Sequence, residues 1–212
     1  MMQVPATGKH TVKTNTTPDS RVCLQVQAIT FQQLWDNYVT GSPYDDPTGA
    51  YSNQCAIRLS VTFHKVGVDM KSFSQKVVPP AKGKASIGRI LLDGKATATR
   101  ADELASWLTK VPFCGLPAKP ENITGKDWES KVKGRTGIIA FSGYWTRGNE
   151  STVDASGGHI DLWNGKRLTI SGPIDSIATI GRYLGMRSLF AGTDYGWSDL
   201  AGSKQILFWE IK

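Results

Sequence analysis

The sequence predicts an α+β fold, and three observations carry that prediction. Apolar side chains recur at helical spacing in two stretches, Phe31, Leu34, Trp35 and Tyr38, then Leu104, Trp107 and Leu108. β-rich runs stand at residues 136–141, 158–163 and 204–211, and the second is followed by Asn164-Gly165. That dipeptide is the strongest short hairpin signal, because both positions of a type I′ turn need positive φ. The composition agrees: 40% hydrophobic and 20% charged residues, with 22 glycines and 10 prolines in 212 residues, describe a loop-rich globular protein with a single core.

Along the chain, residues 1–28 are polar and Thr-rich and read as an N-terminal arm, while residues 29–212 read as the folded domain. Thr30 caps the first helix, Gln33 completes a capping box, and Ile29 staples to Leu34. A turn-rich loop over residues 41–49 follows. Residues 99–110 read as a helix capped by Thr99, with Asp102 and Glu103 in its first turn. Residues 112–124 read as loop, and 126–133 as a short helix closed by Gly134. A strand with Ile138, Ile139, Ala140 and Phe141 comes next. On the following strand His159, Asp161 and Trp163 share one face and Ile160 and Leu162 the other. Residues 173–184 read as a helix ended by Gly185, and 204–211 as the closing strand.

The stretch after the first loop is ambiguous. Cys55, Ile57, Leu59, Val61 and Phe63 alternate with Ala56, Arg58, Ser60, Thr62 and His64, which is a strand pattern. Yet Ser52 and Asn53 are good N-caps, Gly67 is a good C-cap, and Ala56, Leu59, Phe63 and Val66 fit a helical face. Pattern alone leaves the two readings even.

Composition excludes several function classes. No window approaches the about 18 apolar residues of a membrane span, and the N-terminus lacks the apolar segment of an export signal. The net charge of +7 favours polyanionic partners, a carboxylate-rich cell wall among them. The basic residues are scattered and no nucleic-acid module accompanies them, so nucleic acid is not an expected partner. Cys23, Cys55 and Cys114 make neither a closed disulfide framework nor a zinc pattern. Phosphate-binding, dinucleotide, zinc-protease and serine-elbow motifs do not occur, and no cofactor or metal is expected.

What remains is a thiol at a candidate helix start. A cysteine attacks as thiolate, which a helix N-terminus and a nearby imidazole both favour. Cys55 is therefore the candidate nucleophile and His159 its candidate partner. The Cys55 N–H, with Asn53 or Gln54, would supply oxyanion donors, and Trp163 would line the substrate cleft. Against this stands the common fate of a free cysteine as a small buried hydrophobe. His10 and His64 read as bystanders, and Cys23 and Cys114 as inert thiols.

Taken together, Asn53-Gln54-Cys55-Ala56-Ile57-Arg58-Leu59-Ser60, then Gly137-Ile138-Ile139, then Gly158-His159-Ile160-Asp161-Leu162-Trp163-Asn164-Gly165, and a closing strand with Leu207 and Trp209 resemble the fourth family of type VI secretion amidase effectors. The resemblance covers residues 31–212. It implies a papain-like fold, a helix bearing Cys55 packed on an antiparallel sheet bearing His159, and so decides the ambiguous stretch as helix. It implies cleavage of the amide between D-glutamate and meso-diaminopimelate in peptidoglycan stem peptides. It also implies a cognate immunity protein, a secretion-apparatus partner, and contact-dependent injection from the cytoplasm into a target cell's periplasm.

One position departs from the family pattern, in which the strand after the hairpin carries an Asp facing the His. With a two-residue turn at Asn164-Gly165 the facing residue is Ile170, and an isoleucine cannot orient an imidazole. Asp161, on the same strand face as His159, is the expected replacement, with Asp175 or a backbone carbonyl as fallbacks. The departure keeps a second reading alive, a non-catalytic wall-binding or interaction module on a papain-like shell.

Overall fold

Local sequence sets the first element as expected. The Thr30 hydroxyl accepts from the Gln33 N–H at 3.3 Å and the Gln33 side chain accepts from the Thr30 N–H at 2.9 Å. This capping box opens α1 (Phe31–Asp36), and Ile29 and Leu34 are both buried in the core. The structure, a computed structural model, describes residues 27–51, 53–145, 157–169 and 200–212.

The ambiguous stretch is helical: α2 runs Cys55–Lys65, and Gly67, at φ +90°, follows its end. The strand-like alternation has a physical source. Ser60 and Thr62, which on a strand would face water, donate to the carbonyls of Ala56 at 2.7 Å and Arg58 at 2.9 Å and are buried with them. The helix is buried on more than one face, so polar and apolar positions no longer sort by period.

A hairpin of β1 (Arg89–Leu92) and β2 (Lys95–Ala98) follows, which the sequence reading did not foresee. Its turn is Asp93-Gly94, at φ 49° and 73°. The next helix, α3 (Ala101–Leu108), starts later than expected. Its N-cap is Arg100 and not Thr99, whose N–H instead closes onto Gly88 O at 2.9 Å. Glu103 is in the first turn as expected, but it is buried, accepting from the N–H groups of Ala81 at 2.8 Å and Gly88 at 2.6 Å and from Arg100 at 2.8 Å.

Within the expected loop lies a short strand, β3 (Glu121–Asn122), followed by α4 (Trp128–Val132). The long strands are β4 (Gly137–Trp145), β5 (Gly157–Trp163) and β6 (Gln205–Glu210), the last preceded by a 3-10 turn at Leu200–Gly202. They form an antiparallel sheet in the order β3-β6-β4-β5. Ile138, Ala140, Ile160, Leu162 and Trp209 join α2 and α3 in one core, while Ile139, Phe141, Trp163, Phe208 and Trp128 form a second core on the other face. The result is the expected α+β arrangement, with α2 lying against the sheet that holds His159. Among the described residues, no helix is long and apolar enough to cross a membrane.

The turn after β5 differs from expectation. Trp163 pairs with Leu168, so four residues make the connection and not two. Asn164 shapes it by accepting from the N–H groups of Lys166 at 3.1 Å and Arg167 at 2.9 Å, with Gly165 at φ +88°. The two-residue register that set Ile170 opposite His159 therefore does not hold. Ile170 itself, Asp175, the helix expected at residues 173–184, and almost all of the N-terminal arm lie outside the described residues.

Gly137 marks the tightest approach in the sheet, since a Cβ there would stand 2.1 Å from the Trp209 carbonyl oxygen. Backbone cannot yield as a side-chain tip can. Gly137→Ala is expected to cost about 2–3 kcal/mol by displacing β6 from β4. Thermal unfolding should show a midpoint roughly 5–10 °C lower.

Candidate active site

Cys55 is the first residue of α2 and is only 4% exposed. The peptide dipoles of the helix therefore point their positive end at its sulfur. The same chain segment meets the sheet at β5, where the backbone N–H of Ile160 donates to the sulfur. The His159 side chain, 19% exposed, hydrogen-bonds the Cys55 sulfur with its ring. Its ring lies over that of its cross-strand neighbour Phe141, centroids 6.3 Å apart and planes 29° apart. The His159 Nε2 also stands 3.5 Å from Asp161 Oδ2. Three residues predicted from sequence are thus brought together in the order sulfur, imidazole, carboxylate.

The electrostatics follow from that order. Burial pushes the Cys55 thiol up, but the hydrogen bond and charge of His159, the Ile160 N–H and the positive charge of Arg58 outweigh it, and the thiol lies below its ordinary value. Burial pulls His159 down, but hydrogen bonds to Asp161 and Cys55, with the negative charges of both, raise it to about 9. Thiolate beside imidazolium is the pair these shifts favour at neutral pH. Such a pair can attack an electrophilic carbon and then deliver a proton.

Asp161 is held as firmly as His159. It is buried at 3% exposure, and its Oδ1 accepts from the Leu162 N–H at 2.7 Å and from the hydroxyl of Thr169. Oδ2 is thereby left facing the ring. Sequence reading missed Thr169, and a lone threonine past a turn gives no signal by which to find it. Arg58 was also missed as a site residue, although it stands three positions after Cys55, on the same helical face. Its Nη1 donates to Gly41 O at 3.1 Å, while its Nε is buried without a hydrogen-bond partner among the described residues.

Other expected site residues do different things. The Asn53 side-chain oxygen accepts from the Cys55 N–H at 3.2 Å, so the N–H set aside for an oxyanion is engaged, while the N-cap position of α2 is held by Gln54 and not by Ser52 or Asn53. The Gln54 amide is occupied at both ends by the Tyr44 backbone, accepting at 3.1 Å and donating at 2.9 Å, which pins the 41–50 loop to the helix start. Trp163 is buried, its indole nitrogen donating to Val132 O at 2.9 Å and its ring meeting that of Trp128 edge to face at 5.4 Å. His64 bonds Ala96 O at 2.9 Å, away from the site. Cys114 is buried, and Cys23 and His10 lie outside the described residues.

Comparison with known proteins places this geometry. No curated protein sequence matches the chain. Among solved structures, the type VI effector Tae4 from Enterobacter cloacae is similar at 18% identity and a TM-score of 0.49, over 86% of this chain and 96% of that one. Tae4 from Salmonella typhimurium, solved with the immunity protein Tai4, is similar at 19% identity and a TM-score of 0.46, over 86% of this chain and 98% of that one. The family model described as type VI secretion system amidase effector protein 4 matches residues 51–209, a span that takes in Cys55, His159, Asp161 and Thr169, and by that match the chain belongs to the Tae4 family of amidase effectors.

Proposed function

We propose that this amidase effector is a DL-endopeptidase that hydrolyses the γ-D-glutamyl–meso-diaminopimelate amide of peptidoglycan stem peptides, with Cys55 as nucleophile, His159 as proton carrier and Asp161 as the group that orients the ring. The observation that carries this reading is one imidazole bonded to the Cys55 sulfur and facing the Asp161 carboxylate. Family membership supplies the reaction class and the substrate class.

In this mechanism the Cys55 thiolate attacks the γ-carbonyl carbon and the carbonyl π electrons move onto oxygen. The tetrahedral adduct collapses as the imidazolium gives its proton to the departing diaminopimelate nitrogen, leaving a thioester and a neutral His159. Neutral His159 then takes a proton from water, whose oxygen attacks the thioester. Collapse expels the thiolate and restores the ion pair, and the D-glutamyl carboxylic acid so formed gives its proton to solvent. Asp161 stabilises the imidazolium in the resting and attacking states. Injection by the secretion apparatus into the periplasm of a rival cell, and neutralisation at home by a cognate immunity protein, belong to the same proposal.

The central test compares wild type with Cys55→Ala on a soluble stem tetrapeptide. Release of diaminopimelate-containing product is expected to fall on the order of 10⁴-fold or more. Equal release by the two proteins would overturn the proposal and favour a non-catalytic wall-binding module.

The pH dependence has a definite sign. The rate should fall on the acid side as the thiolate is protonated, and on the alkaline side as His159 loses its proton near its raised value of about 9. Asp161→Asn removes a negative charge that holds His159 up, so the alkaline limb should move to lower pH, and kcat should fall on the order of 10²-fold or more. An unmoved alkaline limb would mean that Asp161 does not act on the ring. Iodoacetamide should alkylate wild-type Cys55 rapidly well below pH 8, and a thiol inert until denaturant is added would contradict the ion pair.

A further inference from the structure

A cleft of about 530 Å³ opens between α4 and the turn after β5, with Trp128 and Trp163 beneath it. It adjoins the site just described. Trp163 follows Asp161 by two residues on the same face of β5, and Leu168, paired with Trp163, immediately precedes the Thr169 that bonds Asp161. From His159 to Trp163 is four residues of strand, about 13 Å at about 3.3 Å each.

The rim of the cleft is basic. Lys126, Lys133 and Lys166 are exposed, and none forms an ion pair among the described residues. Arg167 adds a fourth positive charge, its guanidinium lying over the Trp35 ring at 5.2 Å. Two carboxylates, Asp127 and Glu129, also line it, but Asp127 is paired with Lys131 at 3.0 Å. The charge left over is positive, and it comes from lysines at the two ends of α4 and from the turn after β5.

We propose that this cleft is a second binding site for the wall polymer, holding carboxylates of stem peptides beside the one being cut. The inference rests on the reading of the protein as a peptidoglycan amidase. A substrate of that class is a polymer with carboxylates at every repeat, so one molecule can occupy the catalytic groups and the cleft together. Concavity favours a chain segment over the flat face of an acidic protein, which needs a broader contact to bind. Lysine ammonium groups are compact, swivelling point charges, and they accept carboxylates at variable spacing without a fixed bidentate geometry.

The test uses the full-length chain in two backgrounds. In Cys55→Ala protein, where nothing is cut, sedimentation with purified sacculi at low salt measures retention with and without Lys126→Glu, Lys133→Glu and Lys166→Glu together. Retention is expected to fall on the order of tenfold with the triple change, and to lose most of its salt dependence. With Cys55 intact, the ratio of the rate on sacculi to the rate on soluble tetrapeptide should fall by a similar factor. An unmoved thermal midpoint confirms that the variant folds. Undiminished retention overturns the proposal, as does an equal loss on both substrates. Unchanged sacculus binding with lost binding of an immunity protein overturns it too, and assigns the cleft to that partner. Wild-type turnover of the tetrapeptide, measured alongside, tests the amidase reading separately.

Discussion

A sulfur atom shielded from water at the start of a helix is the constraint on which this structure turns. Burial alone would hold Cys55 protonated and inert. Three features oppose it: the N-terminal end of α2, the Ile160 N–H, and the imidazole of His159, itself kept cationic by Asp161. Each works only at contact distance, so the fold must join one helix end to one sheet edge and keep them joined. The Ile160 N–H on β5 is one such contact, directed at the sulfur from the sheet that α2 packs against.

Much of the remaining chain serves that junction. The Gln54 amide ties the helix start to Tyr44, and Arg58 ties its first turn to Gly41, so the 41–50 loop is clamped from two points. Further along α2, the Ser60 hydroxyl accepts from the Ala98 N–H at 3.1 Å and His64 bonds Ala96 O at 2.9 Å. The β1–β2 hairpin is thus bolted to the helix flank. Thr62 accepts from the Val39 N–H at 3.1 Å on the opposite flank. With both flanks held, α2 cannot slide along the sheet and carry the sulfur away from the ring.

Sequence reveals this arrangement unevenly, and the reasons are physical. Periodicity identified α1, where water-facing and core-facing positions separate, whereas the central strands were legible as short apolar runs because both of their faces are buried. It was indecisive for α2, where buried Ser60 and Thr62 bond back to their own helix and break the separation. The β2 strand was missed although Asp93-Gly94 announces a hairpin, since Lys-Ala-Thr-Ala is short and weakly apolar. Asn164-Gly165 announced a turn correctly, but the Asn164 side chain caps two further N–H groups and lengthens it. Chemistry at Cys55 and His159 was legible because few residue types can perform it. Arg58 and Thr169 were not, and Gln54 was read as an oxyanion donor and not as the anchor of the Tyr44 loop, because these contributions depend on where the partners fold.

The position of the carboxylate bears on what the third member of the proposed triad must supply. A cross-strand Asp reaches a facing His directly, whereas Asp161 sits two residues along the same strand and must lean lengthwise to come within 3.5 Å. A side chain free to rotate would not hold that posture. Asp161 is fixed because Oδ1 is claimed by the Leu162 N–H and the Thr169 hydroxyl, leaving Oδ2 with one direction to face. Thr169, on the segment returning from the turn, therefore contributes to the proposed triad through a hydroxyl that aims the carboxylate. On this account the requirement at the third position is a negative charge in a fixed place, and the strand that supplies it can change so long as the other strand fixes its orientation.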